Sequence, residues 1–386
     1  MSLRRLHDQQ SGSLLDNALV VLFPAPDTAT GEDLVELHLH GGPAVVSDVL
    51  DALTRQPGVR LAEAGEFTRR AFANNRLDLA QVEGLADLVA AETSSQRQQA
   101  LALVGGSLSQ LADAWRNRII AVLAEAEAAL DFAEDEADVA ARLSVSSSKA
   151  LSGLVIEIDG LLADSGRAAR IRDGLAIVVT GAPNVGKSSL VNALAMRDAA
   201  IVTPIAGTTR DPIEVPINLD GVAATLIDTA GIRDSDDPVE QEGIRRARLR
   251  AASADLILAV IDEGGGATSP GWTIANKSDL RTTPHPAAQF QLSALTGAGI
   301  SELRTALAEW AAVVARPGEP ALLSHARHRA AFVDAAEALR NAAAIDDLVL
   351  RAEDLRRAAH ALGRIAGRVD VDDVLDRIFS QFCIGK

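Results

Sequence analysis

Residues 175–195 read LAIVVTGAPNVGKSSLVNALA. The apolar, β-branched run Leu175–Thr180 leads into Gly181-Ala-Pro-Asn-Val-Gly186-Lys187-Ser188, and a helical pattern follows. This is G-x-x-x-x-G-K-S in a strand–loop–helix setting. Glycines let backbone N–H groups curl round phosphates. Lys187 supplies charge for the β and γ phosphates and the Ser188 hydroxyl ligates Mg²⁺, while the helix N-terminus favours the anion. A glycine-rich turn with a chance lysine does not require that setting.

Four companions follow in order. Ile205-Ala-Gly-Thr-Thr209 can supply a threonine to Mg²⁺ and the γ-phosphate, with Thr209 the metal-side candidate. Asp228-Thr-Ala-Gly231 ends a strand pattern, where the second metal-side carboxylate belongs. Asn276-Lys-Ser-Asp279 ends another, and a carboxylate there accepts two N–H bonds from guanine that adenine does not offer. Ser293-Ala-Leu295 would close over the base. Together they predict a GTPase rather than an ATPase. Ile232 follows Gly231, where Ras-like enzymes carry the glutamine that orients water. Asn184 and the loop around Thr203 could hold a monovalent cation by the phosphates, in place of an arginine finger. Glu240 could position water or be a solvated carboxylate at a helix start.

Between 174 and 312 strand and helix patterns alternate (LAIVVT, SSLVNALA, AATLID, DLILAVID, WTIANK, ISELRTALAEWAA), which predicts a doubly wound parallel sheet. Residues 76–168 and 317–386 carry helical spacing. Gly105-Gly106 separates or kinks two helices, and SVSSSK (144–149) reads as a break with N-cap residues. Two helical halves flanking an insertion pack into one domain if the insertion's ends lie close. Residues 1–75 mix strands (LLDNALVVLFP, DLVELHLH) with helices (GGPAVVSDVLDAL, EFTRRAFANN). The expected fold class is α/β plus α: a P-loop GTPase sheet inserted into a helical domain, preceded by a small α/β domain.

The chain has 386 residues, enough for two or three domains, and its 3 % aromatic content with no tyrosine favours long helices. A net charge of −16 excludes nucleic-acid binding through the overall field. Local basic stretches are Ile244–Arg250 and Arg356-Arg357, each also readable as a solvated helix face. No apolar run reaches the ~18 residues of a membrane span, and the start lacks a signal-peptide core. The single cysteine, Cys383, cannot form an internal disulfide, so a reducing compartment fits. The expectation is a soluble cytoplasmic protein with no membrane partner. Cys383 lies fourth from the end, where a prenyl group would go, but a C-terminal lysine suits prenylation poorly. His38 and His40 share one face of a strand pattern and invite a metal reading; without a third spaced ligand no zinc is assigned.

These segments resemble one family, the tRNA-modification GTPases called MnmE or TrmE. The resemblance rests on GAPNVGKSSLVNAL, IVTPIAGTTRD, LIDTAGIRD with Glu240 following, NKSD and DRIFSQFCIGK, and on GEDLVELHLHGGP, GEFTRRAF and RLDLAQVEGLADL. It implies a folate-binding N-terminal domain (1–75), a helical domain in two parts (76–168 and 317–386) and an inserted G domain (174–312). It also implies a homodimer that works with the flavoprotein MnmG as a heterotetramer. The pair adds a carboxymethylaminomethyl group to the wobble uridine of tRNA, with potassium-stimulated GTP hydrolysis. The one-carbon unit comes from a 5-formyl- or methylene-tetrahydrofolate derivative.

Carried over by residue, the GTP site comprises Asn184, Val185, Gly186, Lys187, Ser188 and Ser189, then Thr203, Pro204, Ile205, Ala206, Gly207, Thr208 and Thr209. Asp228, Thr229, Ala230 and Gly231 follow, then Asn276, Lys277, Ser278 and Asp279, and finally Ser293, Ala294 and Leu295. Mg²⁺ meets Ser188 and Thr209. K⁺ meets Asn184, Thr203, Ile205 and Thr208. Glu240 matches the water-positioning glutamate. Glu36, Arg76 and Lys386 match folate positions, and Cys383 near that pocket is either a catalytic or a packing thiol.

Two departures stand out. The family has a longer stretch before the region matching Ser13, so the folate domain is expected to be N-terminally shortened, and Arg76 stands where lysine is common. Only the ten residues Glu263–Trp272 separate LAVID from TIANKSD. That is short for a βαβ crossover and could weaken guanine binding. The alternatives are an Era/Der-type ribosome-assembly switch, and an assembly scaffold with impaired chemistry.

Overall fold

A computed structural model describes residues 1–132, 137–195, 214–228, 254–261, 271–316 and 321–367, with side chains outside 129–148. Two compact units result: Met1–Ala86 with Leu103–Leu151 and Glu337–Lys386, and Asp87–Ala102 with Ser152–Ala336.

The first unit opens with an antiparallel sheet of β1 (Ser2–His7), β2 (Leu14–Phe23) and β3 (Leu34–His38), in that order. Helix α1 (Pro43–Thr54) places proline in its first turn, where the missing N–H is an orphan in any case. Helices α2 (Glu66–Ala73) and α3 (Leu79–Ala90) follow. Helix α4 (Ser94–Val104), which belongs to the second unit up to Ala102, stops at Gly105-Gly106, with Gly106 left-handed at φ +79°, and α5 (Ser107–Phe132) begins beyond it. Helix α5 buries Leu108, Ala112, Trp115, Ile119, Val122 and Ala126, an alternating four-and-three spacing that makes one apolar stripe.

Late in the chain, α10 (Ala326–Ala344) buries Phe332, Ala336 and Leu339, as their spacing predicts. Helix α11 (Leu348–Gly363) packs along α5 through Ala352, Leu355, Ala359 and Leu362, so helices from both ends of the sequence share one interface. The Asp347 side chain caps α11, accepting from the N–H groups of Val349 and Leu350. One expectation fails here. Helix α6 (Ala137–Ala163) runs unbroken through SVSSSK. The apolar spacing continues into Leu151, Leu154 and Ile158, all fully buried, and packing overrides a local cap signal.

In the second unit a six-stranded sheet has the order β5-β6-β4-β7-β8-β9. The strands are β4 (Leu175–Gly181), β5 (Glu214–Leu219), β6 (Val222–Asp228), β7 (Leu256–Ile261), β8 (Trp272–Ala275) and β9 (Phe290–Gln291). Five are parallel, as the alternation predicts. The edge strand β5 is antiparallel to β6, which makes the sheet mixed. Leu175, Ile177 and Val179 face a core shared with α8 (Lys187–Ala195) and α9 (Ile300–Ala315), contributed by Leu190, Leu194, Leu303 and Leu307. Helix α7 (Ser165–Asp173) precedes β4.

The short β7–β8 link does not expel the strand that leads into Asn276. Strand β8 pairs in parallel with β7 from Leu258↔Trp272 to Ile261↔Ala275. Within the link, 262–270 lies outside the described residues. Aromatic packing helps to anchor β8: the Trp272 ring lies 5.3 Å from Phe290 and 6.5 Å from Trp310.

Candidate nucleotide site

Parallel strands bring their C-terminal ends to one edge of a sheet, and ligands of open α/β sheets bind there. β4 ends in the Gly181 loop, β6 on Asp228, β8 just before Asn276, and β9 two residues before Ser293. The chain turns to β6 on one side of β4 and to β7 on the other, so the loop after β4 sits at the switch point.

Two glycines of that loop are obligatory. A Cβ on Gly181 (φ +145°) would sit 2.2 Å from the Val260 carbonyl oxygen, and one on Gly186 (φ +96°) would sit 2.2 Å from Asn276 Nδ2. Asn184 is also left-handed, at φ +62°. Lys187 is buried, and its ammonium donates to the carbonyls of Gly181 and Ala182 at 3.0 and 2.9 Å. Its cation therefore already lies within the loop, ready for an anion. Ser188 Oγ donates to Asp228 Oδ2 at 2.5 Å. A hydroxyl and a carboxylate in contact are the hard oxygen donors that Mg²⁺ prefers, so these residues fit that ion.

Asn276 joins the loop after β4 to the loops after β8 and β9. It is buried, its amide donates to the Val185 carbonyl at 3.1 Å, and its oxygen accepts from the N–H groups of Lys277 and Ala294 at 2.7 and 3.0 Å. Lys277, left-handed at φ +61°, donates through Nζ to the Asn184 carbonyl at 2.8 Å. Ser278 N–H donates to the Leu292 carbonyl. These bonds leave Asp279 exposed and Leu295 87 % exposed, a carboxylate and an apolar side chain in the loops after β8 and β9.

The structure thus gathers Asn184 to Ser189, Asp228, Asn276 to Asp279 and Ser293 to Leu295. Thr203 to Thr209, Thr229 to Gly231, Glu240, Cys383 and Lys386 lie outside the described residues, as does the basic stretch 244–250. Arg356 and Arg357 are spent on carboxylates, with Glu127 at 2.7 Å and Asp354 at 2.9 Å.

In the first unit, Glu36 projects from β3 and pairs with His38 at 3.1 Å, and Arg76 approaches Asp27 at 3.8 Å. His40 does not continue the His38 face. β3 ends at His38, and His40 binds the buried Asp16 through Nδ1 (2.7 Å) and its backbone N–H (2.9 Å). Asp16 and the His38 partner Leu19 point to opposite faces of β2. Among the described residues no cluster of three metal-ligating side chains occurs.

Sequence reading missed an ion-pair ladder. Glu66 accepts two bonds from Arg60 (2.8 and 2.9 Å) and one from Arg70 (2.7 Å), while Arg70 also binds Glu32 (2.8 Å). The Arg60 and Arg70 hydrogen bonds lower the Glu66 pKa to about 2. The Glu66/Arg70 spacing of four on α2 was the available signal.

Comparison with known proteins matches two family descriptions along the chain: GTP-binding protein TrmE N-terminus over residues 1–76 and MnmE helical domain over 79–383. The chain belongs to the MnmE family. Curated MnmE relatives, each called tRNA modification GTPase MnmE, include one from Azorhizobium caulinodans, 49 % identical over 99 % of this chain and 88 % of its own length. Another, from Methylobacterium sp. strain 4-46, is 49 % identical over 100 % and 90 %. A third, from Rhodopseudomonas palustris strain BisB5, is 47 % identical over 99 % and 90 %. Among solved structures, the FeoB G-domain from Methanococcus jannaschii is similar over 37 % of this chain and 98 % of that one, at 22 % identity. Its TM-score of 0.25 adds nothing to the fold described above. Among the described residues no helix is long and apolar enough to cross a membrane.

Proposed function

We propose that this chain couples potassium-stimulated GTP hydrolysis to modification of the wobble uridine of tRNA. GTP hydrolysis in tRNA modification is the activity named for its family, and that membership replaces the ribosome-assembly reading. The observation that carries the proposal is the assembly, at one sheet edge, of a phosphate loop, a serine–aspartate metal pair and a guanine-side carboxylate.

Lys187 and the loop N–H groups hold the phosphates, Ser188 with Thr209 holds Mg²⁺, and Asp279 reads guanine. Asn184, Thr203, Ile205 and Thr208 hold K⁺, which supplies positive charge where the leaving phosphate becomes more negative. Glu240 orients the attacking water. The flavoprotein MnmG is the partner, and the active assembly contains a homodimer of this chain in the cytoplasm. Glu36, Arg76 and Lys386 hold a tetrahydrofolate derivative that donates the one-carbon unit, and Cys383 serves that pocket as a catalytic or a packing thiol. A carboxylate and a guanidinium suit a pterin's N–H groups and a folate carboxylate.

The test is reconstitution. Purified chain, MnmG, GTP, K⁺ and a folate donor are incubated with undermodified tRNA, and the wobble nucleoside is read by mass spectrometry. Appearance of the carboxymethylaminomethyl group is expected. Sustained GTP turnover with no modified nucleoside would overturn the tRNA part of the proposal.

A further inference from the structure

The turn of the β5–β6 hairpin is fastened to the first turn of α4. The Gly221 carbonyl accepts from the Ser95 N–H at 3.1 Å and from the Ser94 hydroxyl at 3.5 Å. One of the orphan donors at a helix start is thereby satisfied by the hairpin instead of a side chain. The next donor closes within the helix: Thr93 N–H donates to Gln96 Oε1 at 3.1 Å and Gln96 N–H to Thr93 Oγ1 at 3.4 Å, a capping box.

The joint is tight. Gly221 has φ +95°, and a Cβ there would lie 2.4 Å from Ser94 Oγ. Asn218 Oδ1 holds the Gly221 N–H at 2.7 Å. Helix α4 is tied further along as well. Gln96 Nε2 donates to the Arg172 carbonyl at 3.0 Å, and the buried Gln99 Nε2 donates to the Ala168 and Ala321 carbonyls at 2.9 and 2.8 Å.

The opposite ends of the same hairpin face the nucleotide site. β6 ends on Asp228, which accepts from Ser188. β5 starts at Glu214, shortly after the stretch that carries Thr203 to Thr209. In between, β6 is bonded to β4 from Leu175↔Ala224 to Val179↔Asp228, so a shift at Asp228 is carried along a stiff strand to Gly221. Helix α4 is also the helix through which the chain passes between the two units, at residues 102 and 103.

We propose that the β5–β6 hairpin and the first turn of α4 move as one body, so that the nucleotide state at Ser188 and Asp228 is read out at α4. This rests on the GTP reading above.

The test is amide hydrogen exchange on the full chain with Mg²⁺, comparing GDP with a non-hydrolysable GTP analogue, after calorimetry has shown that both bind. Protection of residues 92–99 and of 217–224 is expected to change together, by about tenfold in exchange rate. Gly221→Ala drives a Cβ into Ser94 Oγ. In that variant residues 92–99 should exchange equally in both states, with GDP affinity within about twofold of the parent. Unchanged protection at 92–99 in the parent overturns the inference, and so does a response that persists in Gly221→Ala. A chain that binds neither nucleotide overturns this inference and the GTP reading together; binding with a silent 92–99 overturns this inference alone.

Discussion

Ser188 Oγ donates to Asp228 Oδ2 at 2.5 Å, joining the first residue beyond the P-loop lysine to the last residue of β6. In the proposed Mg²⁺ site this pair is joined by Thr209. Ser188→Ala removes a metal donor and leaves the loop glycines and Lys187 in place. Mg²⁺-dependent GTP hydrolysis should fall by about 10–100-fold, while nucleotide binding measured in EDTA changes little. Equal hydrolysis by the variant at saturating Mg²⁺ would remove Ser188 from the site.

Asn276 holds the Val185 carbonyl and the Ala294 N–H at once. Asn276→Ala leaves both without that partner in a buried place, which costs about 1–3 kcal/mol per unsatisfied group. Urea unfolding should show a lower midpoint with an unchanged slope, and GTP affinity should fall with it. A variant of parental stability would mean that water replaces the amide without penalty.

His325 Nε2 and Asp87 Oδ2 lie 2.8 Å apart, and Arg172 Nε binds the other Asp87 oxygen at 3.0 Å. Burial alone would raise the Asp87 pKa, but the His325 and Arg172 interactions outweigh it and hold the pKa below 3.8. A lowered folded pKa stabilises the fold above the ordinary carboxylate range, and that contribution is lost as pH falls through the folded value. Unfolding midpoints of the parent should therefore drop below pH 3.8 faster than those of Asp87→Asn. At neutral pH His325→Ala should cost about 1–3 kcal/mol. Parallel acid profiles for parent and Asp87→Asn would contradict this account.

Glu66 should stay ionised far into acid because Arg60 and Arg70 grip both of its oxygens. Its carboxyl resonance in a pH titration should move near pH 2 rather than 4.5. Stability from this ladder is present above pH 4.5 and fades between there and about 2. Arg60→Ala should bring the titration back towards 4.5, and a parent that titrates at 4.5 would show the ladder to be loose in solution.

The G-domain order was legible because its motifs sit at strand ends, where the sheet must deliver them. The helical stripes of α5, α10 and α11 were legible for a similar reason, since burial enforces their spacing. The antiparallel β5 was missed although Val215, Ile217 and Leu219 alternate with Glu214, Pro216 and Asn218, because a proline in so short a run argues against a strand. The Asp220-Gly221 pair was the available hairpin signal, and both residues have positive φ. Strand β1 is equally weak in local pattern, carrying two arginines, and it depends on pairing with β2. The serine run 144–149 misled because cap propensity is worth less than a continuing buried helix face. The contacts of Asn276 and the Gly221–Ser95 joint connect residues far apart in sequence, so no local pattern could reveal them.

The proposed GTPase uses a monovalent cation where other GTPases use an arginine finger, with Glu240 in place of the Ras-like glutamine. The most direct measurement is the GTP hydrolysis rate of the purified chain in potassium chloride against sodium chloride at equal ionic strength. A potassium-specific rise of at least tenfold is expected, which is about 1.4 kcal/mol or more off the barrier. Equal slow rates in the two salts, with GTP bound, would contradict it.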